Sequence, residues 1–422
     1  MEYSEKPRGN VPRIIIHGGA GNITRANLLP PAYQTYRKAL LAILDDAYQA
    51  LTKRDAAAID VATHAVTLLE NNPLFNAGHG AVYTSIETHE LEASVMVSKG
   101  SRKRGVGVMR VTKAKNPILL AKEMLLRGEE DDGGGAGPHV QIAGETCDKL
   151  AGQWGLDLVE PDYFWTRKRW DEHRRGLDLS HDDETYQNHR RAARENSRDT
   201  GLAKSGFDDP SWDGQEYLPQ GTVGCVVLDS SGTICVATST GGITNKLPGR
   251  VGDTPTLGAG FWAEQWYQHA HSISADVQSG FLSSMADCIP SMRGYVPLSH
   301  VHPTVPRAVG MSGTGNGDSF LRLSAIRTAA AMARFSCDRT QHCGTMPLQK
   351  AVSAVAGPHG ALQQSAEDRW HKTGEGEGGI IGIDFEDGKG HIVADFNCGG
   401  MFRVWIDDHG RHRMAVFREE LP

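Results

Sequence analysis

A threonine that opens a buried strand directly after a glycine can become a nucleophile and its own base. Gly221-Thr222 is followed by Val223-Gly224-Cys225-Val226-Val227-Leu228-Asp229, which is apolar and β-branched, and then by Ser230-Ser231-Gly232. The pattern predicts a core strand entering a tight hairpin, with a return strand from Thr233 to Ser239. A threonine hydroxyl is a weak nucleophile at neutral pH. An α-amine freed on the same residue, with a pKa of about 7.7–8.0, can take its proton. If the Gly221–Thr222 bond were cut, Thr222 would therefore be both nucleophile and base. The plain alternative is a β-branched residue that merely starts a strand.

Acyl transfer places negative charge on a carbonyl oxygen, so hydrogen-bond donors must already face it. Thr314 and Gly315, in the glycine-rich turn Gly313-Thr314-Gly315-Asn316-Gly317, are the candidates, because a helix expected over 317–334 would present free N–H groups there. The same turn has neither GxGxxG spacing nor a following GK[ST], which argues against a nucleotide loop. Ser312 is a rival nucleophile, but Gly310-Met311-Ser312-Gly313-Thr314 fails the GxSxG elbow at its last position. Arg250 and Asp253, opposite in charge and three residues apart in a Gly/Pro-rich turn, could grip the carboxylate and ammonium of one amino acid. A local surface ion pair is the alternative. Thr240 lies where the return strand comes back toward Thr222, and strand spacing alone leaves it equally open to a local backbone bond.

The elements that must hold these groups read as mixed α and β. Strands are expected at 13–17, 90–97 and 105–111, and helices at 31–51, 56–69 (with Asp55 as N-cap), 118–126 and 140–154. A hairpin is expected around Glu386-Asp387-Gly388, between strands at 378–384 and 391–396. From 165 to 221 the chain is rich in charge, His, Gly, Pro and Ser, and reads as a mobile tether; its arginines at 190–198 are interleaved with acids, as on a solvated surface. Residues 264–306 read as an insertion whose paired histidines, 269/271 and 300/302, lack acidic or cysteine partners at metal-ligand spacing.

Several of these segments together resemble the plant-type (type 2) asparaginase and isoaspartyl peptidase family of N-terminal-nucleophile hydrolases. They are Ile15-Ile16-His17-Gly18-Gly19-Ala20-Gly21, Pro73 to Gly80, His89 to Ser94, Gly221 to Asp253, and Ser312 to Asp318. The resemblance implies an α+β fold, an αββα four-layer sandwich of two stacked, largely antiparallel sheets flanked by helices. It implies self-cleavage into an α-part, 1–221, and a β-part, 222–422, and a dimer of such αβ units. The activity implied is hydrolysis of L-asparagine or β-aspartyl dipeptides through a threonine ester. Thr240 would then support Thr222, Thr314 and Gly315 would serve the oxyanion, and Arg250, Asp253, Gly317 and Asn76 would bind substrate. The Gly18-Gly19 turn would hold the scissile backbone close. No organic cofactor is implied, but a sodium ion among the backbone carbonyls of Leu69, Glu70, Asn72, Phe75, Ala77 and His79 is. Asp253 separates the chain from threonine aspartases, which are neutral there. Glycosylasparaginases share Gly249-Arg250-Val251-Gly252-Asp253 but match Thr244 to Pro248 less well. Asp318 departs from the usual Glu. An uncut, silent amino-acid-binding protein is the rival of another class.

The 422 residues carry a net charge of −7 and no long basic stripe, which speaks for small-molecule partners and against nucleic acid. No apolar run has membrane-spanning length, and the first residues lack a secretory core. Seven cysteines without a CxxC pair fit neither a disulfide framework nor a zinc site, so a reducing, cytoplasmic setting is expected.

Overall fold

Alternation along β1 (Arg13–Gly21) sends Ile14 and Ile16 into one apolar cluster and Ile15 into another, so this strand is buried on both faces. A computed structural model describes residues 10–179, 221–269, 304–336 and 346–420. The helices α1 (Pro30–Leu51), α2 (Ala58–Glu70) and α3 (Pro117–Leu126) supply Leu40, Leu44, Val66 and Ile118 to the cluster that includes Ile14 and Ile16.

The remaining strands are β2 (Leu91–Val97), β3 (Gly105–Val111), β4 (Gln141–Ala143), β5 (Val223–Leu228), β6 (Ile234–Thr240), β7 (Phe261–His269), β8 (Thr304–Gly315), β9 (Gly378–Glu386), β10 (Lys389–Phe396), β11 (Gly400–Ile406) and β12 (His412–Ala415). They form an eight-stranded sheet, β12-β11-β1-β5-β6-β2-β3-β4, and a four-stranded sheet, β10-β9-β8-β7. Every neighbouring pair is antiparallel except β3–β4. Ile15, Val226 and Val236 of the larger sheet share a cluster with Phe261, Ile381 and Ile383 of the smaller. A third cluster joins Val309 and Met311 to Ile326, Ala330 and Val352 of two later helices, Ala325–Phe335 and Leu348–Ala356. The protein is therefore α+β.

Several local expectations change. The α2 N-terminus is capped by Asp229 Oδ2, 3.0 Å from the Ala58 N–H, while Asp55 takes φ 59° ahead of it. A hairpin residue 171 positions away thus does what a neighbour was expected to do. The helix expected over 140–154 is β4 followed by a helix at Glu145–Gln153, broken at Gly144 with φ 71°. The helix expected over 317–334 is two, Gly317–Leu323 and Ala325–Phe335, separated by left-handed Ser324. The second starts where the carbonyls of Ala259 and Gly258 accept the N–H groups of Ile326 and Arg327.

The tether expected from 165 begins inside the fold. Its first part is the helix Arg167–Gly176, in which Lys168, Arg169, Trp170, Asp171 and His173 are all buried. Trp170 stacks on Trp165 and meets Tyr83 edge-on, and the Arg169 guanidinium is neutralised by Glu172 at 2.9 Å. Composition hid this because charges paired within the protein read like solvated ones. Residues 180–220, with the arginine run, lie outside the described residues. The expected insertion also starts late, since 264–269 and 304–306 are paired strand, Gln265 opposite Ala308 and Gln268 opposite Val305. Residues 270–303 lie outside the described residues, as do the side chains of the histidine pairs.

Candidate active site

Thr222 precedes β5 at the end of the larger sheet, where the pairing Val223↔Ser239 puts it beside Thr240. Next to β5 runs β1, with His17 opposite Gly224. Between His17 and Ala20 the register of β1 against β11 slips by a bulge, and Gly19 takes φ 113°. The bulge carries backbone onto the scissile bond. A Cβ on Gly221 would lie 2.5 Å from both Gly19 Cα and Ala20 N, and 2.7 Å from Thr314 Oγ1. Only glycine fits before Thr222, because these obstacles are mostly backbone.

Thr314 and Gly315 are the last two residues of β8, and the helix Gly317–Leu323 begins directly after Asn316. Asn316 caps the following helix by accepting the Ser319 N–H at 3.0 Å. Thr314 is fully buried, and its hydroxyl accepts the Ala20 N–H at 3.2 Å, which fixes it beside Gly221. Gly315 has φ 143°, and a side chain there would collide with Glu377 and Gly378.

The Thr222 hydroxyl is buried, 3.1 Å from the hydroxyl of Thr254. Thr240 is adjacent through the sheet, but its hydroxyl accepts the Gly242 N–H at 3.0 Å. Thr254 was missed because the motif was read as ending on the charged Asp253. Its signal, a hydroxyl residue directly after that acid, is common in loops.

Arg250, Asp253 and Gly317 converge. A Cβ on Gly317 would sit 2.5 Å from Asp253 Oδ1 and 3.1 Å from an Arg250 guanidinium nitrogen, so the missing side chain keeps the space between them open. Arg250 donates to Asp318 Oδ1 at 3.0 Å. Arg250 Nε, Asp253 Oδ2 and Glu92 Oε2 are buried without hydrogen-bond partners among the described residues. Burial, reinforced by Glu92 and opposed by Arg250, pushes the Asp253 carboxyl up to about 7. Burial also raises the Glu92 carboxyl and lowers the Lys246 ammonium, which lies 3.9 Å from Glu92 and donates to the Glu90 carbonyl at 2.6 Å. Buried polar atoms without protein partners, with a perturbed carboxyl among them, are features of binding sites.

Asn76 braces the site. Its amide donates to the Gly242 carbonyl at 2.7 Å and accepts the Val82 N–H at 3.1 Å, so both ends serve backbone. The loop that carries Arg250 is held from its other side by His173 and Asn245. Asn245 Oδ1 lies 2.5 Å from His173 Nδ1, and Asn245 Nδ2 donates to the His173 carbonyl at 3.0 Å.

Ser312 does have a histidine beside it, His17 Nε2 at 2.8 Å, and Thr238 Oγ1 at 3.1 Å. All three are fully buried, and burial pushes the His17 imidazole down to about 3 despite a backbone hydrogen bond with Thr222. A pair sealed from substrate props the nucleophile strand and cannot act as a serine dyad.

In the loop 69–79 the carbonyls of Leu69, Asn72 and Ala77 each accept a backbone N–H. Side chains at Gly78 and Gly80 would collide with the carbonyls of Glu70 and Phe75, and Arg169 donates to the Gly80 carbonyl at 2.6 Å. The Glu70 side chain faces elsewhere, accepting from Ser239 and from the Ile118 N–H, and burial raises its carboxyl to about 8. Among the described residues no group of His, Cys, Asp and Glu could hold a metal, and no helix is long and apolar enough to cross a membrane.

A family model described as Asparaginase matches residues 10–274. An isoaspartyl peptidase of Escherichia coli is 32% identical over 96% of each chain. A putative isoaspartyl peptidase/L-asparaginase of Dictyostelium discoideum is 29% identical over 93% of this chain and 92% of its own. A plant-type L-asparaginase of Pyrococcus furiosus is 33% identical over 60% of this chain and 70% of its own. With Thr222, its crowded glycine and the open space between Arg250 and Asp253 in family order, the chain belongs to the plant-type asparaginase and isoaspartyl peptidase family.

Proposed function

We propose that the protein is a self-cleaving N-terminal threonine hydrolase that acts on L-asparagine and on β-aspartyl dipeptides. One observation carries this reading: the group touching the Thr222 hydroxyl, Thr254, is the residue next to Asp253, so the loop that bears the amino-acid clamp also reaches the nucleophile.

In the uncut chain Thr222 Oγ1 adds to the Gly221 carbonyl. The C–N bond breaks, the nitrogen leaves as the α-amine of Thr222, and water hydrolyses the ester to free the Gly221 carboxylate. In turnover the amine takes the hydroxyl proton while Oγ1 attacks the substrate's side-chain carbonyl. Thr314 and Gly315, beside the scissile position, stabilise the oxyanion. Ammonia, or the amino acid of a β-aspartyl dipeptide, leaves with that proton, and water then cleaves the β-aspartyl ester to aspartate. Arg250 holds the substrate carboxylate, Asp253 its ammonium, Gly317 leaves them room, and Thr240 and Asn76 support the nucleophile's surroundings. Both substrates present the same aspartyl half to this clamp.

The finer architecture follows the same reading. Apolar clusters between α1–α3 and the larger sheet, between the sheets, and between the smaller sheet and the later helices support an αββα sandwich divided at Gly221/Thr222 into α- and β-parts. The backbone carbonyls of Leu69, Glu70, Asn72, Phe75, Ala77 and His79 would hold a sodium ion, a hard cation that prefers oxygen ligands, and it would fix the loop bearing Asn76. No organic cofactor enters these steps. A dimer of αβ units working in the cytoplasm completes the proposal.

Mass spectrometry of the purified protein should show two fragments parting at Gly221/Thr222, and Thr222→Ala should stay whole and release no ammonia from asparagine. An intact wild type that is fully active overturns the reading.

A further inference from the structure

The hydroxyl that meets the nucleophile belongs to Thr254. It is 3.1 Å from Thr222 Oγ1 and wholly buried. Its backbone is anchored on both sides: the Thr254 carbonyl accepts the Ser94 hydroxyl of β2 at 2.7 Å, and the Pro255 carbonyl accepts the Gln141 amide at 2.8 Å. Gly107 of β3 abuts the same Pro255 carbonyl so closely that a side chain there would collide with it. Thr254 thus presents its hydroxyl from a fixed backbone, whereas the Thr240 hydroxyl accepts from its own turn at Gly242.

We propose that Thr254 is a positioning residue for the nucleophile. A threonine hydroxyl distributes between rotamers unless something selects one. In the uncut chain Thr254 accepts the Thr222 hydrogen and keeps the oxygen in a single rotamer. It cannot hold the proton itself, because a neutral alcohol is not a base at this pH. Once the freed amine has taken that proton, the Thr254 hydroxyl turns to donate to the Thr222 oxygen, which it can do because either hydroxyl of the pair can be the donor. The same contact then serves both self-cleavage and turnover, and it acts on rate rather than on substrate affinity, which belongs to Arg250 and Asp253.

Thr254 has this role only if Thr222 is the nucleophile proposed above, and the experiment keeps the two apart. Thr254→Val preserves shape and removes the hydroxyl; Thr254→Ser restores a hydroxyl. For Thr254→Val we expect self-cleavage, followed by mass spectrometry, and kcat of the mature enzyme on asparagine each to fall about tenfold, equivalent to roughly 1.4 kcal/mol of barrier. KM and Tm should stay near wild type, and Thr254→Ser should recover most of both rates. Wild-type rates in Thr254→Val overturn the proposal. So does a raised KM with intact kcat, which would assign Thr254 to the clamp loop, and so does an equal loss in Val and Ser variants with a lowered Tm, which would assign it to packing. Thr222→Ala run alongside reports on the nucleophile alone: if it still cleaves, that reading fails whatever Thr254 does.

Discussion

Replacing Gly317 by alanine should separate substrate binding from self-cleavage. The added methyl would stand 2.5 Å from Asp253 Oδ1 and 3.1 Å from the Arg250 guanidinium. The first distance is shorter than carbon and oxygen tolerate, so the carboxylate must retreat by about half an ångström, which stretches an ordinary bond of ~2.9 Å beyond its useful range. A hydrogen bond to a charged group contributes about 1.5–3 kcal/mol, and each 1.4 kcal/mol is tenfold in affinity. The KM for asparagine should therefore rise roughly ten- to a hundredfold, and aspartate binding measured by calorimetry should weaken by the same factor. Self-cleavage needs Gly221, Thr222 and their immediate neighbours but no clamp, so fragments parting at Gly221/Thr222 should appear at close to the wild-type rate. A variant that keeps wild-type KM and aspartate affinity would refute the assignment of this space to the substrate. Loss of self-cleavage with loss of binding would refute the separation.

Asp253 supplies a pH dependence. Burial raises its carboxyl to about 7, and only the ionised form attracts an ammonium, so 1/KM for asparagine should increase as pH rises through about 7; an Asp253→Asn variant should bind weakly and lack this limb, and a KM flat across neutrality would contradict the role. Acid should destabilise the fold through His17 and His89, which burial pushes down to about 3. Below the ordinary value near 6.5 the unfolded chain takes up protons that the folded one refuses, so each costs up to about 1.4 kcal/mol per pH unit as pH falls. Asp253 and Glu70, raised, act in the opposite sense at acid pH, so the comparison is between single variants: urea midpoints of His89→Gln should fall less steeply from pH 6 to 4 than those of the wild type, and equal slopes would remove His89 from the account.

What could be read from the chain was what depends on neighbours in sequence. Strands β5 and β6 and their hairpin, the turn at Glu386-Asp387-Gly388, and the order Thr222, Arg250, Asp253, Thr314, Gly317 are all carried by short stretches of periodicity or turn chemistry. In the hairpin Asp387 and Gly388 do take φ 49° and 75°, the left-handed pair that such a turn requires. Side-chain type was enough to nominate a nucleophile and a clamp.

Partners distant in sequence were decided by the tertiary structure alone. Asp229 caps a helix 171 residues earlier because the β5–β6 hairpin ends above α2. A bulge in β1 makes Gly221 obligatory by bringing Gly19 and Ala20 against it, although 200 residues of chain lie between. The Arg167–Gly176 helix is charged in composition yet buried, because Glu172 and the Gly80 carbonyl neutralise and bind Arg169 inside the protein. The hydroxyl that meets Thr222 comes from a loop 32 residues on. Residue types and local spacing state which chemistry is available; which groups meet depends on sheet order and packing, and these follow from the whole chain burying its apolar faces together.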